Sequence, residues 1–274
     1  MKTDIIYCES NENTLADKID TNSIDLILTS PFYNSTTVSG TLDTATNGKS
    51  YPKCRYDVFS DSMPFDEYIK YNIRLFEAFD RVLKVNGVIL WNLSYGTMNP
   101  DGMFETVCEL VRNTNFSIAD CIIWKKKSAQ PNNVSANRLT RITEFVFVFV
   151  RKNELTTFYT NKKSTGTSKT GQLIYENVFN FVEAKNNDGD CPYNKATYST
   201  ELCGKLLHMY CPKKEDCVVY DPFMGTGTTA VACKQYGVHY IGSEISENQC
   251  DYAEERLKYG DNREMYISSE DSLI

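Results

Sequence analysis

The feature that most constrains this chain is a glycine-rich turn between a short apolar run and a helix-like stretch. The turn occupies residues 221–229 (DPFMGTGTT), after the apolar residues 218–220 and before a stretch that ends near Tyr236. In α/β proteins, a strand, a glycine turn and a helix in this order present backbone amides to a nucleotide-like ligand. Gly225 and Gly227 favour a tight turn and allow a ligand to approach the main chain closely.

Short apolar runs alternate with amphipathic stretches along most of the chain, which predicts an α/β fold with a parallel or mixed sheet wrapped by helices. The 274 residues suit one large domain of this class. We predict strands at residues 5–7, 24–28, 88–93, 118–124, 145–150, 217–220 and 239–242. We predict helices from Pro64 to Gly87, over 104–113 and 200–210, after the glycine turn, and over 248–259.

Composition excludes several classes of protein. No apolar run approaches the roughly 18 residues of a membrane span, and the N-terminus lacks a signal-peptide pattern, so we expect a cytoplasmic protein. The ten cysteines form no C-x-x-C pair and there are only two histidines, so we expect reduced, mostly buried thiols and no metal site.

Charge is distributed unevenly. The chain carries a net charge of −7, yet residues 125–172 contain ten basic and two acidic side chains. Such a segment can steer a nucleic acid to one face, although a solvated basic loop would look the same. The candidate phosphate contacts are Lys125, Arg138, Arg141, Lys162, Lys163 and Lys169.

A second motif, Thr29-Ser30-Pro31-Phe32-Tyr33, directly follows the predicted strand 24–28. The two motifs, in this order, resemble the β class of amino-methyltransferases, which modify DNA bases with S-adenosylmethionine. The resemblance covers most of residues 5–150 and 192–258. It implies a Rossmann-like methyltransferase sheet with circularly permuted motifs.

The resemblance also implies a division of the chain. Residues 1–150 would form the catalytic half, 151–195 a small DNA-recognition insert, and 196–274 the cofactor-binding half. The polar residues 34–61 would form a loop that closes over DNA.

The resemblance assigns the cofactor residues. Asp221 would lie near the amino-acid portion of S-adenosylmethionine, and Glu244 would accept hydrogen bonds from its ribose hydroxyls. Ser10 belongs to the stretch that lines the adenine pocket, and Thr197 to the block that closes over the cofactor. The main chain of the turn would wrap the methionine part, through Phe223, Met224, Gly225, Thr226, Gly227 and Thr228.

The Ser-Pro motif is assigned to the target base. An exocyclic amine is a poor nucleophile because its lone pair is delocalised into the ring, so rigid acceptors for its hydrogens assist methyl transfer. Ser30 and the carbonyl of Pro31 match these acceptors, and Tyr33 matches the aromatic residue that stacks on a flipped base. Phe32 replaces the usual second proline, which would loosen the acceptor geometry or add a second stacking surface.

We predict cytosine N4 as the methylated atom, because a serine heads the motif, and adenine N6 as the alternative. Residues 131–135, followed by Arg138, also resemble the cytosine enzymes, and the absence of a Pro-Cys dipeptide argues against C5 methylation. The expected partners are duplex DNA, a cognate restriction endonuclease and a second copy of the chain. An RNA or protein amino-methyltransferase, a non-catalytic binding module and a dehydrogenase remain as alternatives.

Overall fold

The structure, a computed structural model, describes residues 1–34, 63–96, 99–128, 136–137, 139–189, 191, 193–194 and 196–259. Ten strands occur in these residues: β1 (Ile5–Cys8), β2 (Ile24–Thr29), β3 (Leu83–Leu93), β4 (Phe116–Lys126), β5 (Thr143–Arg151), β6 (Ser164–Thr167), β7 (Leu173–Tyr175), β8 (Phe181–Ala184), β9 (Val218–Asp221) and β10 (His239–Glu244). Eight of them form one sheet in the order β1-β10-β9-β2-β3-β5-β4-β8, while β6 and β7 pair as a separate antiparallel hairpin.

The helices are α1 (Asn11–Asp17), α2 (Phe65–Val82), α3 (Gly102–Asn113), α4 (Thr200–Tyr210), α5 (Thr228–Tyr236) and α6 (Glu247–Tyr259), with a short 3₁₀ turn at Lys152–Glu154. Their apolar sides bury two clusters, one on each face of the sheet. Leu15 of α1, Phe76 of α2 and Leu110 of α3 pack on one face of the sheet. Leu206 of α4 and Ala230 of α5 pack on the other face, and Leu257 of α6 packs against the same cluster. The predicted α/β fold with helices on both faces is confirmed.

Strand direction determines where a site can form. In the sheet built from the described residues, β5 alone runs antiparallel. The chain continues from β9 to β10 on one side and from β2 to β3 on the other, so the order reverses between the neighbours β9 and β2. Ligands of open α/β sheets bind at the carboxyl ends of the strands, at such a switch point.

The prediction that Gly87 ends the second helix is wrong. The helix ends at Val82, and Leu83 is already extended, with ψ of 134°. Leu83 pairs with Ile24 of β2, so strand pairing ends the helix before the glycine, which lies inside β3. Helix α1 was not predicted; its N-terminus is capped by the Ser10 hydroxyl, which accepts from the Asn13 amide.

The segment proposed as an insert, 151–195, divides into two parts. The β6–β7 hairpin stands apart from the main sheet, but β8 adds to the sheet as the parallel neighbour of β4. Residues 181–184 therefore belong to the main sheet, which sequence analysis did not predict because β8 is only four residues long. The predicted loop 34–61 lies outside the described residues, apart from Asn34.

The cysteines and histidines form no ligand cluster in the part of the chain that the structure describes. All nine cysteines found there are free, and six of them are buried, as predicted. No helix among the described residues is both long and apolar enough to span a membrane.

Candidate active site

Two cavities meet at the carboxyl ends of the strands. One, of about 230 Å³, extends over the glycine turn and the end of β10, and the other, of about 180 Å³, lies beside the Ser-Pro motif. Four residues line both cavities and so form their common wall: Ser30, Ala196, Thr197 and Tyr198. Two ligands bound in these cavities would meet at this wall.

The glycine turn has the backbone that its sequence predicts. Gly225 and Gly227 have φ of 53° and 78°, in the left-handed region that glycine tolerates best. A Cβ on Gly227 would lie 2.7 Å from the Cβ of Ala253 in α6. Gly227 therefore fixes the close approach of the turn to α6, and it is not among the residues that line the cavity.

Glu244 lies in the first cavity at the end of β10. Its carboxylate accepts hydrogen bonds from the Gly225 amide at 2.8 Å and from the Ser246 amide at 2.9 Å. Burial raises the pKa of this carboxyl, and the backbone amides oppose that shift. A carboxylate offers about four acceptor positions, so Glu244 retains acceptor capacity for a hydroxyl group of a ligand. A buried carboxylate acceptor of this kind fits the ribose hydroxyls of S-adenosylmethionine.

Asp221 has a different place from the one that the resemblance implies. It is fully buried and does not line the cavity. Its carboxylate accepts hydrogen bonds from Thr29, Thr229, Tyr198 and the Phe223 amide. Burial raises the pKa of Asp221, and these hydrogen bonds oppose that shift. Because Thr29 precedes Ser30, Asp221 joins the glycine turn to the Ser-Pro motif, 192 residues away.

The other predicted cofactor residues are brought together in the first cavity. They are Ser10, Thr197, Phe223, Met224, Gly225, Thr226 and Thr228. Sequence analysis missed several polar residues beside them. Asn11 donates to the Pro222 carbonyl and to the Tyr71 hydroxyl, and burial raises the pKa of Tyr71 to about 12. Asn194 donates to Gln249 at 2.8 Å. These buried amides hold α1 and α6 against the turn.

The second cavity contains a hydrogen-bonded group around the Ser30 hydroxyl. Ser30 Oγ lies 3.1 Å from the Tyr33 hydroxyl and 3.2 Å from Asn92 Nδ2. The Tyr33 hydroxyl donates to Glu144 Oε2 at 3.0 Å, and Lys126 Nζ donates to Glu144 Oε1 at 2.6 Å. Pro31 lines the same cavity. Ser30, Pro31 and Tyr33 therefore line the same cavity.

Phe32 is separated from this group. It is 8% exposed, lines the first cavity, and is absent from the lining of the second. Its ring centroid lies 5.2 Å from that of Tyr68, 5.8 Å from that of Tyr71 and 6.0 Å from that of Phe223. The expectation that Phe32 offers a second stacking surface in the base cavity is therefore wrong, because its ring packs under the cofactor cavity.

The basic residues fall into two groups. Lys125 and Arg141 lie at the carboxyl edge of the sheet. Lys125 is the second-last residue of β4, between the cavity residues Trp124 and Lys126. The Arg141 guanidinium carbon lies 4.5 Å from the ring centroid of Tyr95, which follows β3. Lys125 is paired with Glu183 at 2.6 Å. Arg138 and residues 131–135 lie outside the described residues.

The second group belongs to the β6–β7 hairpin. Lys162 and Lys163 precede β6, and Lys169 lies between its two strands. The preceding residue, Asn161, donates to the carbonyls of His208 and Cys211, at the far end of α4 from the cavities. The 11 residues of α4 span about 16 Å. The structure therefore does not bring these three lysines together with the cavities.

The residues missed in the second cavity had a sequence signal. Asn92 interrupts the apolar strand β3, and a buried polar residue in such a strand needs a partner. Lys126 and Glu144 lie at the ends of two predicted strands, but the direction of β5 could not be read from the sequence. Only antiparallel pairing of β5 with β4 brings Glu144 beside Lys126.

Known proteins with similar sequences include type II methyltransferases. The chain is 28% identical over 247 residues to the type II methyltransferase M.HinfI of Haemophilus influenzae, covering 88% of this chain and 64% of that protein. It is 26% identical over 278 residues to the type II methyltransferase M.BglII of Bacillus subtilis, covering 90% and 67%. The chain thus spans about two thirds of the length of these relatives.

Solved structures agree on the fold. The cytosine-N4-specific PvuII DNA methyltransferase superposes with a TM-score of 0.66 at 16% identity, covering 95% of this chain and 87% of that one. The complex of M1.HpyAVI with S-adenosylmethionine gives 0.60 at 20% identity, covering 92% and 98%. The family model N6_N4_Mtase, described as DNA methylase, matches residues 24–255. The chain therefore belongs to this family of DNA amino-methyltransferases, whose methyl donor is S-adenosylmethionine.

Proposed function

We propose that the protein methylates the exocyclic N4 of cytosine in duplex DNA by direct transfer to a flipped base. The observation that carries the proposal is the position of Ser30, on the wall shared by the two cavities. With the cofactor in the cavity of Glu244 and the base in the cavity of Tyr33, the acceptor for the amine lies at their junction. A base paired in a duplex cannot reach such a cavity, so the proposal requires base flipping.

The first cavity would hold S-adenosylmethionine through Glu244, the main chain of the glycine turn and the apolar side chains of Phe223 and Met224. When bound, this cofactor would supply an electrophilic methyl group for the amine nitrogen. Ser30 Oγ and the Pro31 carbonyl would accept the amine hydrogens, which favours the pyramidal nitrogen needed for attack.

Cytosine is preferred to adenine because the motif is headed by a neutral serine. N6 methylation of adenine is the second candidate, since both reactions need the same acceptors. We further propose that the protein acts on cytoplasmic DNA and is accompanied by a restriction endonuclease. The same purified protein can be tested for formation of a homodimer. It can also be tested for activity on RNA or protein.

The test is mass spectrometry of nucleosides from duplex DNA incubated with the protein and S-adenosylmethionine. We expect N4-methylcytosine. N6-methyladenine would instead support adenine N6 as the methylated atom. Methylation of RNA and not of DNA would contradict the proposal.

Ser30→Ala tests the residue that carries the proposal. We expect turnover to fall about a hundredfold or more, because one acceptor for the amine is lost. Cofactor affinity, measured by calorimetry, should change less than about threefold. A comparable loss of cofactor affinity would show that Ser30 supports the cofactor cavity instead.

A further inference from the structure

The hydroxyl of Tyr33 is part of a chain of hydrogen bonds that ends on an ionised side chain. Glu144 is 14% exposed, and one of its oxygens is paired with Lys126. The other oxygen accepts from the Tyr33 hydroxyl at 3.0 Å and from Asn92 Nδ2 at 3.1 Å. An ionised carboxylate only accepts hydrogen bonds, so both neighbours must direct their hydrogens towards it.

This requirement determines the direction of the next hydrogen bond. Because the Tyr33 hydrogen points at Glu144, the Tyr33 oxygen faces Ser30 as an acceptor. Ser30 must therefore donate its own hydrogen to Tyr33 across the 3.1 Å contact. The order of donation is Ser30 to Tyr33 to Glu144.

Asn92 supplies the second constraint. Its Nδ2 lies 2.6 Å from the Tyr33 hydroxyl and 3.1 Å from Glu144, so the nitrogen, and not the oxygen, of this amide must face them. The amide has two hydrogens for these contacts: one is directed at Glu144, and the other is shared between the Tyr33 oxygen and Ser30 Oγ, 3.2 Å away, where it occupies one Ser30 lone pair. A hydroxyl has one hydrogen and two lone pairs, which leaves one lone pair of Ser30 for the cavity.

We propose that Glu144 is a positioning residue that acts through the Tyr33 hydroxyl to hold Ser30 as a hydrogen-bond acceptor for the base amine. The inference rests on the proposed function and deepens it. Without the carboxylate, the Ser30 hydrogen could rotate into the cavity, where it would face the N–H groups of the amine as a second donor. Serial donation to a carboxylate also makes Ser30 a stronger acceptor, because hydrogen bonds in a chain polarise one another.

Tyr33 thus contributes two separable features. Its ring is matched to stacking on the base, and its hydroxyl connects Ser30 to Glu144. Tyr33→Phe removes only the hydroxyl. Glu144→Met removes the carboxylate and keeps a side chain of similar length, and Lys126, which is 25% exposed, can then reach solvent.

The experiment is a double-mutant cycle on the full chain with Tyr33→Phe, Glu144→Met and both together. We expect each single change to lower kcat about tenfold or more, while KM for DNA and the Kd for S-adenosylmethionine change less than about threefold. The double variant should be no slower than the slower single variant, because both changes break the same chain. Thermal unfolding confirms that each variant is folded.

Glu183→Met is the matched control, since Glu183 forms a 2.6 Å ion pair with Lys125 on the other side of β4 and does not line either cavity. Its kcat should equal that of the unaltered protein. If the fold-losses in kcat of the two single variants multiply in the double variant, or if the losses are confined to KM, this inference is overturned while the proposed function stands. If the unaltered protein transfers no methyl group to DNA, the proposed function fails and this inference fails with it.

Discussion

Phe32 stands where the resembled family has a proline, and it stabilises the loop by packing. The resembled family has a proline at this position, which stiffens the loop through its fixed φ. Here the loop is held by contacts instead: the Phe32 ring packs among Tyr68, Tyr71 and Phe223, and the Tyr68 hydroxyl donates to the Phe32 carbonyl at 2.9 Å. Packing thus supplies the rigidity that the acceptors Ser30 and Pro31 require.

Phe32→Ala should therefore lower the free energy of unfolding by about 3 kcal/mol, since it leaves a cavity under the motif. Urea denaturation measures this change. Phe179→Ala is the control, because Phe179 is 60% exposed and its truncation should cost less than about 0.5 kcal/mol. Equal effects of the two changes would show that the aromatic cluster does not hold the loop.

Among the elements, the β6–β7 hairpin is the least connected to the site. All residues of both its strands are exposed, and it is anchored where α4 ends. Lys125 and Arg141, at the carboxyl edge, lie nearer the cavities.

We keep the hairpin lysines as predicted phosphate contacts and expect Lys162→Gln with Lys163→Gln to weaken DNA binding. Loss of two phosphate contacts should make the slope of log K against log salt less steep by about 1.8. Fluorescence anisotropy at several salt concentrations measures the slope. An unchanged slope would assign the DNA contacts to the carboxyl edge, which Arg141→Gln then tests.

Across the whole molecule, the two motifs depend on each other. The Asp221 carboxylate accepts hydrogen bonds from Thr29 of β2, Thr229 of α5 and Tyr198. The strand ends beside the two cavities are therefore joined through one buried group. Ala196, Thr197 and Tyr198 then close both cavities from the same side. A ligand in the first cavity therefore stabilises the region on which the second is built.

We expect S-adenosylmethionine at a hundredfold excess over its Kd to stabilise the protein by about 2.7 kcal/mol, which raises Tm by roughly 5–10 °C. Differential scanning fluorimetry measures the shift. Glu244→Gln should reduce it, because the neutral amide accepts fewer hydroxyl hydrogen bonds. A shift produced by a nicotinamide cofactor and not by S-adenosylmethionine would contradict the assigned ligand.

The sequence by itself determined the class of fold and the local form of both motifs. Alternating apolar runs and amphipathic stretches require strands and helices whatever their order in the sheet. Gly225 and Gly227 predicted a tight turn, and both have the positive φ that few other residues adopt. The roles of Ser30 and Glu244 came from the resemblance of the two motifs to a known family, and they stay predictions.

Only the tertiary structure decided which groups touch. Ser30 and Asn92 are 62 residues apart, and Tyr33 and Glu144 are 111 apart, so their contact depends on strand order and on the reversed direction of β5. The same long-range pairing ended α2 early, buried Asp221 and moved Phe32 out of the base cavity. Local sequence specifies what a strand end carries, whereas hydrogen bonding and burial across the sheet specify which strand ends become neighbours.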